Sequence, residues 1–376
     1  MGVIKPVTVD LIAAARPNFM KIGPLYHALA REPWCRVRLV HTGQHYDANM
    51  SHAFFQDFRL PEPDIHLGVG SGTHAEQTGG VMIAYERECL RERPDWIIVV
   101  GDVNSTAACA LVGGKLCIPV AHLEAGLRSG DRRMPEEINR IVTDALADVL
   151  WTPSADADEN LRREGVPEDK IERVGNIMID AFEMQRERIE ADGTRASLGL
   201  EAGAYAVVTL HRPSNVDDEA TLTTLVEQLV SVAGRLPLVF AVHPRTRAKL
   251  QAFDLLRRLE VQAAIRLIEP LGYVQFMNLV IGARALITDS GGVQEETSYL
   301  GIPCLTLREN TERPVTLTQG SNRLVRPGDL RAAVEAVMEA EQARSGARSG
   351  IELWDGQTAK RVVDSLRRRL ESLAVG

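Results

Sequence analysis

Most signatures that would assign a 376-residue chain to a familiar chemistry are absent. The five cysteines (Cys35, Cys89, Cys109, Cys117 and Cys304) form no C-x-x-C pair. Most sit in apolar surroundings and are expected to be buried free thiols. The nine histidines show no H-E-x-x-H or comparable spacing, so no required metal is expected. There is no G-x-x-x-x-G-K-[ST] and no G-x-G-x-x-G, so adenine-triphosphate and nicotinamide chemistry find no support, and no cofactor is expected. No apolar stretch approaches the roughly 18 residues of a membrane span. Pro6 stands where a myristoylation motif wants Ser or Thr, and Asp10 interrupts the first apolar run. Lipid-anchor and signal-peptide readings therefore fail, and the cytoplasm is the expected compartment. A net charge of −8 argues against a general binder of nucleic acid or acidic membrane. It leaves room for a local basic pocket that takes a phosphate.

What is present is an ordinary globular balance, 45% apolar and 25% charged, over a length that suits two domains. Short β-branched runs at 7–14, 37–41, 96–100, 118–123, 149–152 and 171–174 alternate with helical patterns. The alternation predicts a parallel sheet with helices on both faces. A long charged helix at 178–191 and glycines at 193, 199 and 203 mark an inter-domain connection. The pattern then restarts, with strands at 206–210, 238–242, 266–268, 285–288 and 304–307. The expected fold is α/β: two doubly wound Rossmann-like domains facing a central cleft. Their limits are read as 1–172 and 173–357, followed by a basic amphipathic helix in 358–376, either solvated or packed back on the first domain. Ligands in this class bind at the carboxyl ends of the strands.

Charged residues collect at those ends. Arg16 and Lys21 flank Pro17 at the first strand-to-helix turn, where amides and two cations suit an anion; a Pro-led helix start explains them equally well. Asp102 follows the apolar run 96–100 directly, where helix capping explains it poorly. Glu124 follows another apolar strand and precedes Ala125-Gly126, where backbone comes close to a ligand. Glu136 and Glu137 fall in the first turn of a Pro-led helix, where the dipole alone accounts for them, and Glu136 is spaced to pair with Arg140. Asp131 and Glu137 read as structure and solvent. His211 ends the first strand of the second half and, with Arg212, is placed to meet a diphosphate; His243 is a weaker case of the same kind. Ser290, Gly291 and Gly292 lie between a strand and a helix, where backbone N–H groups can approach a phosphate. Glu296, a turn later, is placed to accept from a ribose diol.

Taken together, "ARPNFMK", "HTGQHYDANM", "GDVNST", "HLEAGLRS", "MPEEINR", "TLHR", "HPRT", "TDSGGVQEE" and "TERP" resemble the non-hydrolysing UDP-N-acetylglucosamine 2-epimerases. The resemblance runs from about Arg16 to Leu324. It implies the architecture shared with many nucleotide-sugar glycosyltransferases (glycosyltransferase-B-like), a homodimer, and a role in supplying precursors of cell-surface polysaccharide. By motif it implies that Arg16, Lys21, Asp102, Glu124, Glu136 and His211 are the functional polar set. It makes Ser290, Gly291, Gly292 and Glu296 a UDP cradle, with Phe276 stacking on uracil and Arg313 nearby. Gln44 and His243 match regions that bind a regulatory UDP-sugar in some members.

The implied reaction removes the C2 proton while UDP leaves C1, giving a glycal, and then adds UDP back after reprotonation on the other face. Three departures bear on the substrate. Ala14-Ala15-Arg16-Pro17-Asn18 stands where the family often has Gly-Thr-Arg-Pro-Glu, and Pro213-Ser214 where a Glu often follows "HR". "HTGQH", "NMS" and "HPRTR" are shared with relatives acting on UDP-diacetamido-uronic acids. Such an epimerase, a hydrolysing epimerase, a glycosyltransferase of the same fold and a UDP-sugar sensor are the alternatives.

Overall fold

The computed structural model describes residues 6–14, 16–43, 55, 57–340 and 350–375; of residues 16, 17 and 373–375 only the backbone is described. The chain forms two compact units, dividing at Met184/Gln185 and again at Ile351/Glu352.

The first unit is built on a seven-stranded sheet in the order β3-β2-β1-β4-β5-β6-β7. The strands are β1 (Val7–Ala13), β2 (Cys35–His41), β3 (Ile65–His66), β4 (Trp96–Val100), β5 (Val120–Leu123), β6 (Val149–Thr152) and β7 (Ile171–Arg173). Every pairing is parallel, so both faces must be covered. This is why β4, the run WIIVV, is apolar at every position and buried throughout. The covering helices include α1 (Arg16–Ala30), α2 (His74–Arg91), α3 (Asn104–Leu116), α4 (Pro135–Leu146), α5 (Ala155–Arg163) and the first half of α6 (Ile177–Ala191). Thr73 and Glu76 form a capping box that fixes the start of α2.

Asp10, which breaks the apolar pattern of β1, lies opposite Arg38 in the β1–β2 register. Arg38 grips it at 2.6 and 3.0 Å, and the Tyr85 hydroxyl donates to it at 2.9 Å. A one-residue slip of β1 against β2 would leave both charges buried without partners, so the pair specifies the register.

The second unit repeats the plan with six parallel strands in the order β10-β9-β8-β11-β12-β13. They are β8 (Ala206–Thr209), β9 (Leu238–Ala241), β10 (Ile265–Ile268), β11 (Ala285–Thr288), β12 (Cys304–Thr306) and β13 (Asn322–Leu324). Its principal helices are α7 (Glu219–Ala233), α8 (Pro244–Ala252), α9 (Tyr273–Gly282), α10 (Val293–Leu300) and α11 (Leu330–Glu339).

The closing helix α12 (Thr358–Val375) belongs to the first unit. Val362, Val363 and Leu366 enter the first core, and Asp180 of α6 accepts the amides of Thr358 and Ala359 at 3.1 and 2.8 Å. Burial pushes the Asp180 carboxyl up to about 6, against the pull of those two amides. In each sheet the strand order reverses between the first strand and its partner across the sheet, β1/β4 and β8/β11. Those switch points are where sheets of this kind leave a crevice at their carboxyl ends. Of the cysteines, Cys89, Cys109 and Cys304 are buried, Cys35 is half-buried and Cys117 is exposed.

Candidate active site

In the first unit, the residues after β1, β4 and β5 converge. Asn18 of α1 donates its Nδ2 to the Val100 carbonyl at 2.8 Å, tying α1 to the end of β4. One turn further on, Lys21 forms a buried ion pair with Glu124. Gly101 lies beside them at φ +71, and a Cβ there would sit 3.3 Å from both Glu124 Oε2 and Lys21 Nζ. Glycine is therefore required both by the left-handed backbone and by the crossing of the two charged side chains. Glu124 itself takes φ 71, a conformation that costs a non-glycine residue on the order of 1–3 kcal/mol. The strand end holds it there, with the amides of Glu124 and Ala125 both donating to the Trp151 carbonyl at 3.1 Å.

Asp102 is gripped by Arg140 of α4, through Nε at 3.0 Å and Nη2 at 2.5 Å. Arg140 also donates to Glu137 at 2.7 Å. The expected Glu136–Arg140 pair therefore does not form. One residue is about 100° of helix rotation, so α4 turns Glu137 and Arg140 inward and leaves Glu136 exposed. Glu137 is no solvated surface group. It accepts the amides of Ser129 and Gly130 at 2.9 and 2.8 Å and so fixes that loop. Burial opposes its charge, but those amides and Arg140 outweigh burial and lower its pKa. Asp131 pairs locally with the exposed Arg133.

Beneath this surface lies a buried pair absent from the sequence expectations. His122 of β5 contacts Asp144 through Nδ1 at 2.6 Å and the Gly101 carbonyl through Nε2 at 2.8 Å. Asp144 also accepts the Gly126 amide at 3.0 Å and pairs with Arg128 at 2.7 Å. Burial works against its charge, yet His122 and Arg128 lower its pKa.

In the second unit, Asp289, fully buried after β11, accepts the amides of His211 and Arg212, both close to 3 Å, and Asn215 Nδ2 at 3.1 Å. It also meets His211 Nδ1 at 3.0 Å. Burial notwithstanding, these partners lower its pKa. Asp289 thus folds the whole His211–Arg212 turn at the β8/β11 switch point and aims the partly exposed imidazole.

Ser290, Gly291 and Gly292 follow immediately and lead into α10. A Cβ at Gly291 would lie 3.4 Å from Arg308 Nη1 and 3.7 Å from Arg313 Nη1, so two guanidinium groups border the glycine turn. Arg308 is held by Glu312 at 2.9 Å through both nitrogens, and Arg313 pairs with Glu295 at 2.7 Å. Glu312 is buried, yet Arg308 and Arg313 bring its carboxyl down to about 2. Glu296, also buried, goes the other way: burial and neighbouring Glu295 push it up to about 8. The Tyr273 hydroxyl donates to it at 3.1 Å. Phe276 is half-buried one turn along α9 from Tyr273, on the same side of the helix. His243 caps α8, accepting the Arg245 amide at 3.2 Å, and its ring centroid is 5.7 Å from that of His211.

The structure thus brings together Lys21, Asp102 and Glu124 in one unit, and His211, Ser290, Gly291, Gly292, Glu296 and Arg313 around adjoining strand ends in the other. The Arg16 side chain and Gln44 lie outside the described residues. Among the described residues there is no cluster of His, Cys, Asp and Glu that would hold a metal, and no helix is long and apolar enough to cross a membrane.

Comparison with known proteins follows the same lines. Residues 27–367 match the family model described as UDP-N-acetylglucosamine 2-epimerase. A Methanocaldococcus jannaschii UDP-N-acetylglucosamine 2-epimerase is 43% identical over 326 residues, covering 84% of this chain and 88% of that protein. The crystal structure of an M. jannaschii UDP-GlcNAc 2-epimerase in complex with UDP-GlcNAc and UDP superposes with a TM-score of 0.85 at 40% identity, over 96% of this chain and 100% of that one. A Pseudomonas aeruginosa UDP-2,3-diacetamido-2,3-dideoxy-D-glucuronate 2-epimerase is 41% identical over 318 residues, covering 84% of this chain and 87% of that protein.

Proposed function

The chain belongs to the UDP-N-acetylglucosamine 2-epimerase family, and on that premise we propose that it interconverts UDP-N-acetylglucosamine and UDP-N-acetylmannosamine. The C2 hydrogen of the sugar is not acidic, because no carbonyl adjoins it. Departure of UDP from C1 solves this. The C1–O electron pair leaves with UDP, positive charge develops at C1, and a base takes the C2 proton to leave a C1=C2 glycal. Returning the proton to the opposite face of C2 and UDP to C1 completes the inversion.

Such a site needs carboxylates at C1–C2 and donors for the diphosphate. The observation that carries the reading is the pair of adjacent strand ends, β4 and β5, that present Asp102 and Glu124, each fixed by its own cation. Asp102, Glu124 and Glu136 between them act as base, acid and support for the developing cation. Each general acid or base contributes typically about 10²–10⁴-fold. Lys21 and Arg16, His211, Arg313 and the amides at Ser290–Gly292 stabilise departing UDP. Glu296 receives the ribose diol and Phe276 stacks on uracil. Family resemblance further supports a cytoplasmic homodimer that feeds cell-surface polysaccharide synthesis; light scattering of the purified protein tests the dimer.

The test of the reaction is incubation of UDP-N-acetylglucosamine with the protein in D₂O, followed by NMR. Deuterium at C2 of both UDP-sugars is expected. Free N-acetylmannosamine would identify a hydrolase instead, and no exchange without an acceptor would point to a transferase or a sensor. A second substrate merits the same assay. The near-equal identity to the P. aeruginosa enzyme, 41% against 43%, favours trying the UDP-diacetamido-uronic acid named for that relative.

A further inference from the structure

Asp102 has both flanking carbonyls tied down. Asn139 Nδ2 donates to its own carbonyl at 2.9 Å, and His122 Nε2 lies 2.8 Å from the carbonyl of Gly101 that precedes it. The other ring nitrogen of His122 lies 2.6 Å from Asp144 Oδ1. A peptide carbonyl and a carboxylate are both acceptors, so each ring nitrogen of His122 faces one. The ring is completely buried, and Asp144 nearly so. A buried polar pair of this kind gives little net stability over an apolar replacement, so its presence calls for a geometric reason.

The reason lies in what the pair connects. From α4, the Asp144 carboxylate reaches His122 with one oxygen and the Gly126 amide and Arg128 with the other. Gly126 ends the Glu124-Ala125-Gly126 turn at φ +79, where a Cβ would sit 2.4 Å from the Ala157 carbonyl oxygen. One carboxylate therefore holds the turn that carries Glu124. Through the His122 ring, the same carboxylate holds the peptide that leads into Asp102.

The geometry points to His122 and Asp144 as a positioning pair that sets Asp102 and Glu124 at a fixed separation for the proton transfers at C2. Neither residue touches the reacting atoms; both act through backbone. This inference rests on the reading of Asp102 and Glu124 as catalytic. A misplacement of about 1 Å can cost about 10²-fold in rate, so even modest loosening of this link is measurable.

Two substitutions divide the ring into halves. In H122N the amide nitrogen replaces Nδ1, keeping the contact with Asp144 and losing the one with Gly101. In H122Q it replaces Nε2, keeping Gly101 and losing Asp144. H122N loses more volume than H122Q, so each kcat is read beside its own Tm. Expected is a kcat about 10–100-fold lower in H122N with KM within about threefold. H122Q breaks the same chain at Asp144, so its kcat should fall similarly, again with KM within about threefold. Normal kcat in either variant, or losses in proportion to the drop in Tm, would overturn the inference. If H122N does not fold, D144N serves with H122Q. The amide of D144N can donate to His122 Nδ1 and accept from Gly126, so the chain from Gly101 to Gly126 survives and kcat should stay within about threefold; a large kcat loss in D144N at native Tm, or normal kcat in H122Q, overturns the inference. Wild-type protein that exchanges no deuterium at C2 would sink the functional reading itself. Wild-type exchange with an unaffected H122N would sink only the positioning role.

Discussion

The two units share a fold and differ in how they treat charge. In the first, the reactive carboxylates are the held groups: Lys21 holds Glu124, Arg140 holds Asp102, and the backbone at Gly101, Glu124 and Gly126 is left-handed. In the second, carboxylates do the holding. Asp289 gathers two amides and an imidazole, while Glu312 and Glu295 steady the arginines beside Gly291. The difference follows from the tasks. A group that moves a proton must be aimed, and strain of a few kcal/mol is tolerable where packing over-determines the conformation. A surface that receives a diphosphate must keep donors turned outward, and carboxylates behind them supply the restraint.

The sharpest way to break this contrast is to disable one unit and read the other. E124Q keeps an oxygen that accepts from Lys21, so the protein should fold. Its turnover should fall by about 10²–10⁴-fold, the usual worth of a general acid or base. UDP affinity, measured by calorimetry, should stay within about threefold. A parallel loss of UDP binding would mean that the units do not divide the work as described.

The second unit carries the next largest effect, and it depends on pH. The Glu296 carboxyl sits at about 8, against 4.5 for an ordinary glutamate, because burial and Glu295 disfavour its charge. The folded chain therefore keeps a proton that the unfolded chain has already lost between those values. Stability should fall as pH rises through that window, by up to about 1.4 kcal/mol per pH unit from this group. E296Q stays neutral and can still accept from Tyr273. Thermal unfolding from pH 5 to 9 should be flatter in E296Q; identical slopes would show that Glu296 ionises freely in the fold.

G291A places a methyl group against Arg308 and Arg313 without demanding an unusual backbone angle. It should weaken UDP binding about tenfold, close to 1.4 kcal/mol, by crowding the phosphate approach. Tm should hardly move. Unchanged affinity would take the glycine turn out of the cradle.

These variants also mark where the sequence was legible. The strands were, since parallel strands buried on both faces are continuous apolar runs. Glu124 was legible for the same reason, as a carboxylate directly after such a run. Glu136 and Glu137 were not separable: both suit a helix first turn, and only the rotation of α4 against the sheet decides that Glu137 is buried. β3 has two residues and β13 is the polar-led run Asn-Arg-Leu, so neither shows an apolar run. His122 and Asp289 were hidden for another reason. Their partners are far along the chain, 21 and 22 residues away for His122 and 78 for Asp289 with His211, and no local pattern reports that distance. Yet both stood inside motifs already singled out, "HLEAG" and "TDSGG", so a polar residue at a buried strand end was the available signal.

The smallest effect concerns His243, which the family resemblance ties to a regulatory UDP-sugar. In the structure it is an exposed N-cap, accepting the Arg245 amide at 3.2 Å. Loss of a cap costs about 0.5–2 kcal/mol, and Asn is among the best replacements. H243A should therefore lower stability by about 1 kcal/mol, and H243N should restore it. The ring is a different matter: it lies 5.7 Å from His211, and Asn cannot replace it there. Rate should be measured against UDP-N-acetylmannosamine with and without trace UDP-N-acetylglucosamine. If H243N regains both stability and the response to the second UDP-sugar, the residue is a cap. If it regains stability alone, the imidazole has a role in the second unit beyond starting a helix, and that unit does more than bind UDP.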